Sequence, residues 1–267
     1  MIDFHRPVIR ISGHSFIPRF LGPESVVVDL GLHKGEFAMG IIRTFLCRVF
    51  GVEPVPELFA KLPRHKYFAA LPVAVGERNA RVDLNLFHAQ CASLFEEENI
   101  EKVDTVSVES VTLEEFLSRF DLRTVDLLKI DVEGAEMGLL MAARDETFGR
   151  IGQITVEFHD FLFPYMRTQA REVMKRLIDL GFYRINFSMD NTDVIFVNRY
   201  LLDVGWLEYL YLKYIVKYYK GCARVARRYW LGIFDPSHNR LIINGCWISR
   251  QLCLRGATPR ACHARRP

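Results

Sequence analysis

The amino-acid sequence predicts an α/β protein built on a doubly wound, mostly parallel sheet whose last strand is antiparallel. The first observation is an apolar, β-branched run at residues 26–30 that leads through a glycine turn into a helical pattern. The second is the alternation of strand and helix patterns as far as residue 180. The third is a closing pair of strand patterns at 182–187 and 193–197, which predicts a hairpin.

The elements follow from periodicity and from the residues that start and stop them. Residues 1–25 contain several Pro and Gly residues and predict a loosely structured lead-in. Strand patterns lie at 26–30, 47–53, 67–75 (interrupted by Pro72), 125–131 and 153–158, and helical patterns lie at 35–49, 54–62, 112–120, 133–143 and 167–180. Thr112 and Glu115 form a capping box. Apolar and polar residues alternate at 80–87 and 105–111, which predicts a small antiparallel β insertion.

The length and charge of the chain suggest its domain organisation. A chain of 267 residues can hold one large α/β domain with an appendage. Residues 1–198 carry 22 Lys and Arg against 29 Asp and Glu, a net charge of −7, whereas residues 199–267 carry 13 against 3, a net charge of +10. An acidic body argues against nucleic-acid binding. We therefore expect one large α/β domain at 26–198 between the lead-in and a basic, helical extension at 199–267 with a poorly ordered end.

The cysteines and the first residues indicate the compartment. The 6 cysteines form no C-x-x-C pair and so indicate neither a zinc site nor a disulfide framework. Residues 1–15 lack the apolar segment of a signal peptide. No apolar run reaches the roughly 18 residues of a membrane-spanning helix. These features predict a cytoplasmic protein.

The turn after the first strand of the body has the spacing D-x-G-x-x-x-G, formed by Asp29, Gly31 and Gly35. A strand, a glycine turn and a helix allow the backbone to approach a bound nucleotide closely. The leading acid disfavours a phosphate and suits a ligand that carries an amine, hydroxyls or a sulfonium. Glycine turns also serve packing alone, so the local sequence leaves both interpretations open.

Acids end three of the predicted strands, at Asp29, Glu53 and Asp131. In an open parallel sheet, the ligand crevice lies at the carboxyl ends of the strands. The two oxygens of a carboxylate after the second strand match the two hydroxyls of a ribose. The alternative is that these acids simply mark polar strand ends. A ribose contact would equally fit a nicotinamide-dependent oxidoreductase, and an inactive binding module of the same fold also stays open.

Six blocks of sequence follow one another in a specific order. They are DLGLHKGEF from Asp29, GVEPVPELF from Gly51, LPVAVGE from Leu71, ASLF from Ala92, VTLEEFL from Val111 and LLKIDVEGAE from Leu127. In order and spacing, the blocks resemble the FkbM-type methyltransferases over about residues 26–198, and KIDVEG is the most specific of them. Leu32 and His33 depart from the family pattern, which usually has a small residue and Asn there.

The resemblance implies a fold, a cofactor and a reaction. It implies a seven-stranded, Rossmann-like methyltransferase sheet, S-adenosylmethionine as the cofactor, and methylation of a hydroxyl oxygen. The acceptor would be a sugar, a glycan or another small metabolite. Gly31, His33 and Gly35 would bring the backbone to the cofactor, and Asp29 would lie near its methionine amine.

The resemblance also assigns the other cofactor contacts. Glu53, with Pro54 beside it, would hold the ribose hydroxyls. Val75 would line the adenine, and Asp131 would bind the cofactor and face the methyl-transfer space.

Methyl transfer to a hydroxyl requires a group that removes the hydroxyl proton. The candidates are His159, just past the fifth strand, and Asp131. A structural or surface role is the alternative for a histidine in this position. A divalent ion held by Asp131, Glu157 and His159 would acidify the hydroxyl directly, but we expect no metal.

The basic extension begins with a helical pattern. Its cations recur at spacings of 4, 3, 4 and 3 residues and so share one helix face, with aromatic residues around much of the rest. They are Lys213, Lys217, Lys220, Arg224 and Arg227. Three interpretations stay open. The helix packs on the body or on a second subunit of a homo-oligomer, residues 206–230 contact the inner face of a membrane, or, least favoured, the helix binds nucleic acid.

Overall fold

A computed structural model describes residues 7–87, 92–93, 102–160, 166–188, 190–218, 240–243 and 246–249. At 86–87, 92–93, 102–104, 240–243 and 246–249 only the backbone is described. The chain divides into two compact units, Met1–Lys217 and Tyr218–Pro267. The helix that begins at Trp206 belongs to the first unit, and the predicted division of the chain at residue 198 stays a prediction.

The described elements are named in chain order. The strands are β1 (Ile9–Ile11), β2 (His14–Phe16), β3 (Val26–Leu30), β4 (Arg48–Val52), β5 (Phe68–Leu71), β6 (Ala74–Val75), β7 (Ala80–Phe87), β8 (Ala92–Ser93), β9 (Lys102–Val111), β10 (Val125–Ile130), β11 (Ile151–Val156), β12 (Phe182–Asn186), β13 (Val194–Asn198), β14 (Arg240–Ile243) and β15 (Cys246–Ser249). The α-helices are α1 (Glu36–Phe45), α2 (Pro56–Phe59), α3 (Leu113–Arg119), α4 (Glu136–Ala142), α5 (Asp145–Phe148), α6 (Met166–Asp179) and α7 (Trp206–Leu210). A 3-10 helix spans Pro18–Phe20, and a π-helix, Tyr211–Val216, continues α7.

The central sheet has seven strands in the order β12-β13-β11-β10-β3-β4-β5. The strands from β11 to β5 are parallel, and β13 is antiparallel to both β11 and β12. The predicted doubly wound sheet with an antiparallel last strand is confirmed. Its central strands are buried on both faces, as the continuous apolar run of β3 predicts.

The predicted β insertion is a second, four-stranded sheet in the order β6-β9-β7-β8. Strands β7 and β9 pair antiparallel over most of their length, which confirms the prediction from their alternating patterns. The third predicted strand pattern, 67–75, is interrupted at Pro72 as expected, but its two parts lie in different sheets. Pro72 lacks a backbone N–H, and β5 joins the central sheet whereas β6 pairs with β9.

The prediction of a loosely structured lead-in is wrong for residues 7–25. Strands β1 and β2 form a hairpin, whose turn contains Ser12 and Gly13 at positive φ. Ser15 donates hydrogen bonds of 2.9 Å from both its backbone N–H and its hydroxyl to the carboxylate of Asp193. The Gln153 side chain accepts a hydrogen bond from the backbone N–H of Ile17 and donates one to the backbone carbonyl oxygen of Ile17. These buried contacts hold the hairpin on the body.

Two helices differ in their bounds from the prediction because of backbone turns. Helix α1 ends at Phe45 because Leu46 adopts a left-handed φ of 57°. Helix α4 begins at Glu136 because Glu133 and Gly134 form a left-handed turn after β10, with φ of 52° and 103°.

The first part of the basic extension packs on the body. Leu212 and Val216 are buried in one apolar cluster with Ile185 and Val197. The interpretation of a helix packed on the body is therefore confirmed for residues 206–216. The predicted cations at 220, 224 and 227 lie outside the described residues. The described residues include no helix that is long and apolar enough to cross a membrane.

Candidate active site

The candidate site lies where the strand order of the central sheet reverses, at the carboxyl ends of β3 and β10. From β3 the chain proceeds to β4 and β5 on one side, whereas β10 and β11 lie on the other. Such a switch point leaves a crevice for a ligand. The site residues predicted after these strands, Asp29, Glu53 and Asp131, all lie along this edge.

A buried lysine joins the two central strands. The Lys129 ammonium lies 3.1 Å from Asp29 Oδ1 and 3.5 Å from Asp131 Oδ2. It also donates a hydrogen bond of 2.6 Å to the carbonyl oxygen of Gly31. Burial opposes the charge, but the two carboxylates raise the pKa of Lys129. The site therefore contains a fixed cation, which the sequence analysis missed although Lys129 lies within the KIDVEG block.

Asp29 has no exposed surface. Neither of its oxygens has a well-aligned hydrogen bond among the described groups, although Lys129 lies at ion-pair distance. Because Asp29 is fully buried, its position is better explained by the ion pair with Lys129 than by a contact with the amine of a ligand. The predicted amine contact stays a prediction.

The glycine turn requires its glycines for two reasons. Gly31 and Gly35 adopt φ of 89° and 73°, values that L side chains rarely adopt. A Cβ at Gly31 would lie 1.8 Å from the carbonyl oxygen of Asp131, so the turn packs directly on the end of β10. His33 adopts φ of 50° between the two glycines and is exposed. Left-handed residues of this kind cluster at functional sites.

Buried carboxylates brace the turns after both central strands. Glu53 accepts hydrogen bonds of 2.7 Å from His33 N–H and 2.9 Å from Val55 N–H. Glu136 accepts hydrogen bonds of 3.2 Å from Val132 N–H and 3.1 Å from Gly134 N–H. Each acid thus fixes the backbone of a strand-to-helix turn.

His159 is clamped between two carboxylates. Its Nδ1 lies 2.9 Å from Glu136 Oε1, and its Nε2 lies 3.4 Å from Glu133 Oε2. Burial disfavours the charged ring, but the hydrogen bond to Glu136 and the charges of both acids raise the pKa of His159 to about 10. Both ring nitrogens then donate protons, and neither can accept one near neutral pH.

The hairpin at the start of the chain adds a second histidine to the site. His14 is buried, and its Nε2 lies 3.5 Å from Asp131 Oδ2. Its ring meets the edge of Phe37 at 5.7 Å between centroids. Burial would raise the pKa of Asp131, but Lys129 and His14 hold it below its usual range. Asp131 is therefore a persistent anion. Sequence reasoning missed His14 because it lies in the region interpreted as a loose lead-in.

Glu157 follows β11 and is half-buried. Its backbone N–H bonds the carbonyl oxygen of Ile130 at 3.0 Å, which fixes the residue beside Asp131. Burial and the negative charge of Asp131 raise the pKa of Glu157 to about 7. Among the described residues, its carboxylate has no hydrogen-bond or ion-pair partner.

Two overlapping donor sets could hold a cation at this edge. Within each set, the three ligand atoms lie within 4.8 Å of one another, and both sets include Asp131. One adds His14 and Glu157, and the other adds Glu133 and His159. The set of Asp131, Glu157 and His159 that the sequence suggested is neither of these.

The remaining two predicted cofactor residues, Pro54 and Val75, differ in how far they are buried. Pro54 is half-buried directly after Glu53, beyond the carboxyl end of β4. Val75 is buried in the hydrophobic core with Val73 and Val52, so its side chain offers little surface to an adenine. Both assignments stay predictions.

Comparison with known proteins identifies the family. The model of the methyltransferase FkbM domain matches residues 29–183, which include the glycine turn, Lys129 and Glu157. The chain belongs to the FkbM methyltransferase family. The resemblance predicted from the six sequence blocks is thus confirmed.

Relatives of this FkbM family member share only part of its length. Methyltransferase 1 of Beauveria bassiana (strain ARSEF 2860) is 27% identical over 164 residues, which cover 51% of this chain and 66% of that protein, just under two thirds. A methyltransferase FkbM structure from Methylobacillus flagellatus KT is 14% identical with a TM-score of 0.45, covering 66% of this chain and 44% of that one. A precorrin-6y C5,15-methyltransferase from Geobacter metallireducens GS-15 is 15% identical with a TM-score of 0.35, covering 61% and 65%.

Proposed function

We propose that this FkbM family member is an S-adenosylmethionine-dependent methyltransferase that methylates a hydroxyl oxygen of a sugar, a glycan or another small metabolite. The observation that carries the proposal is the position of the family's matched segment. It spans the glycine turn and the cluster of charged residues at the carboxyl ends of β3 and β10. This is the edge at which a doubly wound sheet binds its ligand.

The residues at this edge fit the cofactor. The left-handed glycine turn brings backbone close to the crevice, and its leading acid does not suit a phosphate. Glu53 uses one lone pair of each oxygen on backbone amides, so each oxygen can accept a second bond from a ribose hydroxyl. Gly31, His33, Gly35, Glu53 and Pro54 would hold the cofactor, with Asp29 beneath them. Bound there, S-adenosylmethionine supplies a methyl group on a positively charged sulfonium.

The residues around Asp131 would handle the acceptor. Asp131 is held as an anion by Lys129 and His14, so it can accept a hydrogen bond from the acceptor hydroxyl and orient it. Glu157 is the better proton acceptor, because its pKa of about 7 lies near neutral pH and its carboxylate has no hydrogen-bond partner among the described residues. His159 is protonated already, so it would position Glu133 instead of taking the proton.

The reaction class can be tested with methyl-labelled S-adenosylmethionine and a panel of simple methyl glycosides and polyols. The proposal expects formation of S-adenosylhomocysteine in step with a product whose label is bonded to oxygen, as read by NMR. A product labelled on nitrogen or carbon would contradict oxygen methylation. Binding of NAD instead of S-adenosylhomocysteine would favour the oxidoreductase alternative.

A further inference from the structure

The helix that follows the body has two apolar sides, of which one is covered. Leu212 and Val216 are buried against the body. On the other side, five large side chains of the first compact unit are 48% to 67% exposed. They are Trp206, Leu207, Tyr211, Tyr214 and Ile215, and we call them the exposed aromatic face. So many exposed aromatic and aliphatic groups on two to three helical turns indicate an interaction surface.

The body holds this helix in a fixed position. Tyr209 stacks on Tyr183 with 4.4 Å between ring centroids and an interplanar angle of 10°. The Tyr209 hydroxyl donates a hydrogen bond of 3.3 Å to the carbonyl oxygen of Arg184. Arg19 forms a bidentate ion pair with Glu208 and bonds the carbonyl oxygen of Asp203 at 2.9 Å. The exposed aromatic face is therefore preformed, and docking would require little ordering.

The charges around the exposed aromatic face point to an anionic partner. Glu208 is the acidic residue of the helix at 206–216, and its ion pair with Arg19 neutralises its charge. Lys213 and Lys217 are half-buried and lie at the border between the covered and exposed sides of the helix. A symmetric contact between two copies would bring these like charges together.

The kinds of residue on the exposed aromatic face fit a lipid headgroup region. Trp and Tyr have an apolar ring and a polar tip, and they favour the boundary between headgroups and acyl chains. An interfacial helix combines such residues with flanking cations that attract anionic headgroups. We propose that the exposed aromatic face docks this protein onto an anionic lipid surface, with Lys213 and Lys217 facing the headgroups. This proposal is independent of the methyl-transfer reaction.

Vesicle flotation of the full chain tests the proposal. The vesicles are phosphatidylcholine alone and phosphatidylcholine mixed with phosphatidylserine. We expect the protein to float with the mixed vesicles and to remain at the bottom with phosphatidylcholine alone. Leu207→Ser/Ile215→Ser should weaken binding at least about tenfold, since it removes two of the inserted apolar groups. A control that changes two exposed apolar residues elsewhere, Met141→Ser/Ile178→Ser, should bind as the wild type does.

A charge variant and an association measurement complete the test. Lys213→Glu/Lys217→Glu should also lose binding to the mixed vesicles. A wild-type protein that floats with neither kind of vesicle would overturn the proposal. Unchanged binding by Leu207→Ser/Ile215→Ser would also overturn it, because binding would then be due to the basic residues beyond the helix. A third outcome would also overturn the proposal: the wild type is a dimer that binds no vesicles, and Leu207→Ser/Ile215→Ser is a monomer. The exposed aromatic face would then be a subunit interface. Circular dichroism confirms that each variant is folded.

Discussion

Lys129 on β10 donates a hydrogen bond to the carbonyl oxygen of Gly31, 2.6 Å away in the turn that follows the neighbouring strand β3. The same ammonium lies between the carboxylates of Asp29 and Asp131. One buried cation thus ties the glycine turn to the acid that faces the proposed methyl-transfer space. The two halves of the sheet are joined at the point where a ligand would bind.

Removal of the Lys129 charge should destabilise the fold. In Lys129→Met, the buried Asp29 carboxylate loses its cation, and breaking a buried pair costs about 3–5 kcal/mol. Urea unfolding measures the change in free energy. Lys175→Met, which removes an exposed pair with Asp179, is the control and should cost at most about 1 kcal/mol. Equal losses in the two variants would show that the buried cluster contributes no special stability.

Gly31→Ala should be more harmful than an ordinary Gly→Ala change. The new Cβ would overlap the carbonyl oxygen of Asp131, and its backbone would keep a φ of 89°. We expect a loss of about 3 kcal/mol or more in the free energy of unfolding, from the strained φ and the overlap together. Gly22→Ala is the matched control, because a Cβ there meets nothing within 4 Å. Similar unfolding midpoints for both variants would contradict the close approach of the turn to β10.

His159 should make stability depend on alkaline pH. A pKa of about 10 in the folded protein lies above the ordinary value of about 6.5, so the folded state binds the proton more tightly than the unfolded chain. This contribution is fully present below about pH 6.5 and is lost as the pH rises through about 10. The free energy of unfolding should therefore fall over this window, and His159→Gln should flatten the slope. The exposed His65→Gln should retain it, and equal slopes in both variants would be evidence against the clamped imidazolium.

Much of the fold could be predicted because its signals are local. Strand β3 is a run of β-branched residues, and Thr112 caps α3 through the amide of Glu115, as the sequence indicates. The acids at strand ends meet because parallel strands end at one edge. The position of His14 could not be predicted, because it depends on the bond between Ser15 and Asp193, residues 178 positions apart in the chain.

The choice of the proposed proton acceptor also depends on three-dimensional surroundings. A histidine after a strand suggests a base, but His159 lies between two carboxylates that keep it protonated. Glu157 is chemically an ordinary acid in the sequence, and only its burial beside Asp131 brings its pKa to about 7. Sequence spacing carries no information about either environment.

Glu157 should control the rate of methyl transfer. Glu157→Gln removes the proposed proton acceptor, and we expect turnover to fall about 100-fold or more while the affinity for S-adenosylhomocysteine stays unchanged. In the wild type, the rate should rise with pH through about 7 as Glu157 ionises, and the variant should lack this rise. His159→Ala should cost at least about tenfold, roughly 1.4 kcal/mol, through lost positioning of Glu133. A wild-type pH profile in Glu157→Gln would assign the proton to another group.

The wild-type enzyme can be assayed with and without a chelator. If Glu157 acts as a base, treatment with EDTA should leave wild-type turnover unchanged. Loss of turnover that added Mg²⁺ restores would instead make Glu157 a metal ligand with His14 and Asp131.

The central claim is that the glycine turn and Glu53 bind S-adenosylmethionine, and calorimetric titration with S-adenosylhomocysteine tests it most directly. We expect saturable one-to-one binding by the wild type, and no comparable binding of NAD. Glu53→Gln should weaken the affinity at least about tenfold, since it loses a carboxylate that braces the turn and would bind the ribose, whereas the exposed Glu57→Gln should bind as the wild type does. No heat of binding from the wild type, or equal affinity in Glu53→Gln, would contradict the proposed cofactor site.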